Sequence, residues 1–167
     1  MKLPKVEKQS GNYLKLDEGV TKLRILADPI VGQIYWVEGP NGNRPVRVAE
    51  ELEEVPAEAV EDKYGNFVKR FWTFVVYNYE EKKIQIWEIV QTSIQDQLFR
   101  LNEDEDWGDL KQFDIKIERI EGNKVKYEVR PVNKADVSTE VANAYAANTP
   151  NLEALWKNED PFGSKKN

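Results

Sequence analysis

Lys69-Arg70-Phe71-Trp72-Thr73-Phe74-Val75-Val76-Tyr77-Asn78-Tyr79 sets two cations and five aromatic rings on one predicted β-strand. Successive side chains of a strand point to opposite faces, so a run this aromatic either has both faces buried or displays rings to a flat ligand. Alternation puts Trp72, Phe74 and Val76 on one face and Phe71, Thr73, Val75 and Tyr77 on the other. Alternation alone leaves open which face is core. The hydroxyls of the second set favour it as the wet face, with Tyr77 reaching solvent and Trp72 open to either role.

Downstream, Asn78 to Lys82 is a polar turn and Lys83 to Val90 a second strand carrying Trp87, which makes a hairpin. Thr92 to Leu101 spaces Ile94, Leu98 and Leu101 for a helix, with Thr92 or Ser93 as its N-cap. Lys111 to Ile120 alternates Phe113, Ile115 and Ile117 against charged residues, and Glu121-Gly122-Asn123 turns it into Lys124 to Pro131. Trp87 and Phe113 have aliphatic neighbours on their own faces and read as core. Upstream, Val20 to Ala27 is a half-buried strand with Lys22 and Arg24 outward, and Asp28-Pro29 ends it. Ile30 to Val37 carries Tyr35 and Trp36, and Gly39-Pro40-Asn41-Gly42 turns the chain into Arg44 to Val48. A helical turn is expected around Pro56 to Val60. Ser138 to Ala147 favours a helix, and Asn151 to Trp156 a further turn.

The fold this order predicts is mainly β: an OB-fold-like antiparallel Greek-key barrel with one inter-strand helix and a helical C-terminal segment. Barrels of this type place a helix between the third and fourth barrel strands, whereas a β-sandwich leaves the helix at Thr92 to Leu101 without a reason. The domain reading is a polar arm over 1–12, a barrel over 13–148 and a C-terminal tail over 149–167.

Composition narrows the chemistry. The 167 residues include no Cys and no His, which removes disulfides, thiol catalysis, thiolate metal sites and imidazole acid–base chemistry. No Walker loop, dinucleotide glycine pattern or serine-nucleophile motif is present, so the chain is expected not to be an enzyme and to need no cofactor or metal. Glu103 to Asp106 is acidic but lacks the spacing of a calcium loop and reads as a solvated turn. No run approaches the roughly 18 apolar residues of a membrane span, and the N-terminus lacks the apolar stretch of a secretory signal.

The net charge of -6 is unevenly distributed. Glu50 to Asp62 holds seven acidic residues and Glu103 to Asp109 five, neither with any Lys or Arg; setting these twelve aside leaves 18 acidic against 24 basic residues. The remaining body is basic, so a polyanion can still be concentrated on one face. OB barrels bind single strands by stacking bases on aromatics while cations follow the backbone. Candidate phosphate contacts are Lys22, Arg24, Arg44, Arg47, Lys69, Arg70 and Lys83, and candidate stacking platforms are Tyr35, Trp36, Trp72 and Tyr77.

Together, Gly11-Asn12-Tyr13-Leu14-Lys15-Leu16, Lys22-Leu23-Arg24-Ile25-Leu26, Ile30-Val31-Gly32 to Trp36, Arg44-Pro45-Val46-Arg47, Phe71-Trp72 with Tyr77, Ile86-Trp87-Glu88 and Asp114-Ile115-Lys116-Ile117 resemble single-stranded DNA-binding proteins of tailed bacteriophages over roughly Asn12 to Val132. The resemblance implies an OB-fold protein that coats and protects DNA during phage replication and recombination, without sequence preference, in the cytoplasm of the infected bacterial host. Some members hold zinc through Cys and His; this chain has neither residue, and zinc is not carried over. Many end in an acidic tail that recruits replication partners. Glu159-Asp160-Pro161-Phe162 resembles such a docking peptide, which implicates Asp160 and Phe162, although Gly-Ser-Lys-Lys-Asn follows it. An RNA-binding OB module and an adaptor β-barrel that uses its aromatics for a protein interface are the alternatives.

Overall fold

The computed structural model describes residues 1–3 and 11–163. Ser10, most of the predicted N-terminal arm and the last four residues lie outside that range. Seven strands and two α-helices follow in the order β1 (Gly19–Ile25), β2 (Ile30–Val37), β3 (Arg44–Val48), β4 (Val68–Asn78), β5 (Lys83–Ile89), α1 (Thr92–Glu103), β6 (Phe113–Ile120), β7 (Lys126–Lys134) and α2 (Thr139–Ala147). A short 3-10 helix, Leu152–Lys157, ends the series, and a 3-10 turn, Leu110–Gln112, takes the place of the start predicted for β6.

All pairings between the strands are antiparallel, in the order β3-β2-β4-β1-β6-β7, with β5 on β4. β4, the aromatic run, is the hub. β2 pairs with it from Val68 to Thr73 and β1 from Val76 to Asn78, so the Asp28-Pro29 break hands one edge of β4 from one strand to the other. Its opposite edge takes β5 from Trp72 to Asn78.

Beyond its first residues and half-buried Trp72, both faces of β4 are buried, which resolves the choice posed by its sequence. On one face, Phe74 and Val76 join Leu23, Ile25, Trp87, Ile89, Ile115 and Ile117 under Ile94 and Leu98 of α1. The other carries Phe71, Val75 and Tyr77 with Ile30, Ile34, Ile84 and Ile86, under Val141 of α2 and Leu152 and Leu155 of the 3-10 helix. Fully burying side chains of this size stabilises by roughly 1.5–3 kcal/mol each. The face predicted to be wet is therefore a second core, and Tyr77 is 2% exposed. The segment after residue 149 packs rather than trails: Trp156 lies 5.7 Å from Phe71 between ring centroids, and Phe162 rests against the same cluster.

Hydrogen bonds do not close the sheet into a barrel, because β5 and β7 do not pair. The expectation of a closed barrel is corrected on this point. α1 stands in the gap and answers the backbone groups a missing strand would have met. Gln97 Nε2 donates to the Tyr127 carbonyl at 2.9 Å and Gln97 Oε1 accepts from Val129 N at 2.9 Å, while Gln95 Nε2 donates to the carbonyls of Ile89 and Arg70. The free edge of β5 is covered instead by the chain near the N-terminus, through Leu14 N to Ile86 O and Ile86 N to Asn12 O, both 2.8 Å.

Two smaller expectations also change. The residue preceding α1 is Gln91, without a side-chain cap, rather than Thr92 or Ser93. Pro56 to Val60 forms a turn, with Ala59 N donating to Pro56 O, and no helix.

Candidate nucleic-acid interface

The cations and rings nominated from sequence divide into three groups. Arg24, Arg47, Tyr35 and Tyr77 are buried, and the outward roles expected of them fail. Arg24 donates to the carbonyls of Lys111 and Ala135 at 2.7 and 2.8 Å and lies 3.4 Å from Asp114. Arg47 forms a two-pronged pair with Glu88, Nε to Oε1 at 2.7 Å and Nη2 to Oε2 at 3.2 Å. Tyr77 faces Glu140 of α2 at 3.4 Å, and burial followed by that carboxylate raises its phenol above the ordinary value. Alternation pointed Arg24 and Tyr77 away from the first core correctly. What it could not reveal is that later segments cover these two.

A second group lies away from Lys69 and Arg70. Lys22 sits on the β1–β6 wing, 3.7 Å from Asp114 and 4.6 Å from the centroid of Tyr79, whose hydroxyl donates to Asp114 at 2.6 Å. Burial, then that hydrogen bond, raises the Tyr79 phenol far above its ordinary value. Lys83 is half-buried at the β4–β5 hairpin. Asp160 accepts from Phe162 N at 2.9 Å, so the proposed docking peptide is a folded turn with its ring turned toward the sheet.

The third group is brought together, and geometry explains how. β5 stops pairing at Trp72, leaving the first residues of β4 as a sheet margin on that side. Lys69 and Arg70 occupy this margin and point to opposite faces. Lys69 lies opposite Ile34, so it shares a face with Trp36, two residues further along β2. Arg70 lies opposite Gln33 and shares the other face with half-buried Trp72. Arg44 is exposed at the start of β3, opposite Val37.

Beside Lys69, a tight turn adds two rings that the sequence reading missed. Asp62 Oδ1 accepts from Tyr64 N at 2.9 Å and Asn66 N at 2.8 Å, and Gly65 supplies the positive φ of 86° that closes the turn. This carries Tyr64 out to 74% exposure and leaves Phe67 38% and Trp36 43% exposed. Lys63 Nζ stands 5.0 Å from the Tyr64 ring centroid. Trp36, Phe67, Val60, Lys69 and Asp62 line a cleft of about 160 Å³. Its volume is below the roughly 300–1,000 Å³ usual for small-molecule sites. The sequence did hold a signal for the missed rings: an aromatic on each side of Gly65-Asn66, with Lys63 adjoining, at a turn where burial is not required.

Lys69 Nζ is 2.9 Å from Asp62 Oδ2, and Arg70 Nη2 is 2.6 Å from Glu51 Oε1. The Lys69 ammonium, then the amide of Asn66, hold the Asp62 carboxyl down at about 2. Among the described residues no group of three or more carboxylates forms a metal site. In the acidic stretch after α1, Asp104 accepts from Asp106 N and Trp107 N and so closes a turn.

Comparison with protein-family models, with curated proteins and with solved structures finds no match. No helix among the described residues is long and apolar enough to cross a membrane.

Proposed function

We propose that this protein binds single-stranded DNA without sequence preference and without catalysis, coating and protecting it during phage replication and recombination. The observation that carries this reading is the gathering of exposed Trp36, Tyr64 and Phe67 around Lys69 and Lys63, with Arg70 on the reverse side of the same sheet margin. Rings take bases at about 1–3 kcal/mol each, and cations take the phosphates between them. Neither needs a particular base.

Topology lends support. β1 and β2 both lie along one edge of β4, so they act as one bent strand; β4, β5, α1, β6 and β7 then follow with the helix between the third and fourth strands, as in an OB fold. Under this reading α1 fills the position where the first group of three strands would meet the second. The resemblance to tailed-phage single-stranded DNA-binding proteins agrees with the same assignment.

The test is titration with poly-dT followed by tryptophan fluorescence. Of five tryptophans only Trp36 is exposed, so quenching should be carried mainly by Trp36 and largely vanish in Trp36→Phe, and binding should weaken steeply with salt. No quenching and no gel shift at low salt would remove the proposal. Equal or tighter binding of a matched RNA would move it to an RNA-binding module, since stacking alone does not read the sugar.

A further inference from the structure

Between β3 and β4 the chain runs without helix or strand, and within it Glu50 to Asp62 holds seven carboxylates and no Lys or Arg. This linker is held at both ends of its acidic run. At the first end, Glu51 meets Arg70 at 2.6 Å and Leu52 N donates to Gln33 Oε1 at 2.6 Å. At the other, Val60 N donates to Trp36 O at 2.8 Å and Asp62 meets Lys69 at 2.9 Å. One segment thus reaches round the sheet margin and occupies both members of an adjacent cation pair, one on each face of β4. Between the two anchors Glu53, Glu54 and Glu58 remain exposed.

The anchoring is weak where it matters. The Arg70 and Glu51 side chains are 66% and 62% exposed, those of Lys69 and Asp62 37% and 28%. A pair of this kind is worth a factor of roughly 1.4 to 5 in equilibrium, so both together contribute a factor of about 2 to 30. Tethering keeps the carboxylates at the cations at high local concentration, but a polymer bringing several phosphates and bases outcompetes them.

We propose that the linker Glu50 to Asp62 is a tethered competitor for the nucleic-acid backbone, neutralising Lys69 and Arg70 in the free protein and leaving them when phosphates arrive. This rests on the DNA-binding reading above. Its consequence is selection by length: mononucleotides and small anions cannot displace the linker, whereas a long strand can. A second consequence concerns salt. In the free protein these two cations are matched by carboxylates rather than by mobile ions, so fewer ions exchange when DNA binds.

The experiment compares the full chain with the double variant Glu51→Gln, Asp62→Asn by fluorescence anisotropy on labelled oligo-dT across a salt series. Asn at 62 keeps the oxygen that accepts from Tyr64 N and Asn66 N, so the turn is retained. The variant should bind about 2- to 30-fold tighter at low salt, with a steeper log–log salt slope because added salt also weakens the linker's own ion pairs in the unaltered protein, and the two proteins should converge at high salt. In the unaltered protein, hydrogen exchange at the Leu52 and Val60 amides should accelerate when oligo-dT saturates it. If both proteins bind with the same affinity and slope and these amides keep their protection, the linker is not a competitor while DNA binding stands. If neither protein binds oligo-dT, the linker proposal and the DNA-binding reading fall together.

Discussion

Arg47 and Lys69 lie in one cross-strand row, on either side of Ile34, yet one is buried and the other half-exposed. Arg47 is 9% exposed and both its Nε and Nη2 are spent on Glu88. Arg47→Ala strands the Glu88 carboxylate in a largely desolvated site and should cost about 3 kcal/mol of stability in urea unfolding. Lys69→Ala should change stability less than Arg47→Ala, as a partly exposed pair allows, and weaken DNA binding at low salt. A result the other way round would exchange their roles. Gly32 makes a related point about space: a Cβ there would overlap the Val48 carbonyl oxygen of the neighbouring strand. Gly32→Ala should therefore cost about 1–3 kcal/mol in the same unfolding measurement, by forcing β2 and β3 apart.

At the scale of elements, α1 does what a strand pairing would do in a closed barrel, and one side chain carries much of that task. Gln97 both donates to and accepts from the backbone of β7. Gln97→Leu leaves a β7 carbonyl and amide without partners and should cost about 1–3 kcal/mol, read from thermal unfolding and from faster hydrogen exchange at Val129. The Asp62 turn is sensitive to acid. Its folded carboxyl titrates at about 2, below the value of an unstructured aspartate, so the contribution of the turn is complete above about pH 4 and is lost as pH falls through about 2. A carboxyl-carbon NMR titration of Asp62 checks the midpoint.

Most strands were legible because apolar alternation and turn residues are local signals, and the bounds of β2 and β3 agree with the structure to the residue. What was illegible depends on segments far apart in the chain. Tyr77 looked wet because nothing near it announces that Val141, Leu152 and Leu155 will cover its face. Arg24 and Arg47 looked like free cations because their partners stand at Lys111, Ala135 and Glu88. Open or closed is likewise a property of strand register that no single segment encodes. Within the candidate site, Trp36, Lys69 and Arg70 stand out in the sequence, whereas Tyr64 and Phe67 do not.

For the whole molecule, one sheet carries two cores, on opposite faces of β4. The core under α1 is complete once β7 has formed, since Tyr127 and Val129 are the last residues packed against it. The core on the reverse face must wait for Val141, Leu152, Leu155 and Phe162. During synthesis, then, the sheet emerges from the ribosome with Ile30, Ile34, Phe71, Val75 and Ile84 bare on one side until the segment through Phe162 is out. A chain stopped at Asn148 would not be a trimmed domain but one fixed at that intermediate stage, with an apolar face that favours self-association. Light scattering of the shortened chain should detect it, and adding a peptide of residues 149–163 should reverse it. Residues 149–163 would then act as a late seal, separating a chain with both cores covered from one with a bare sheet face.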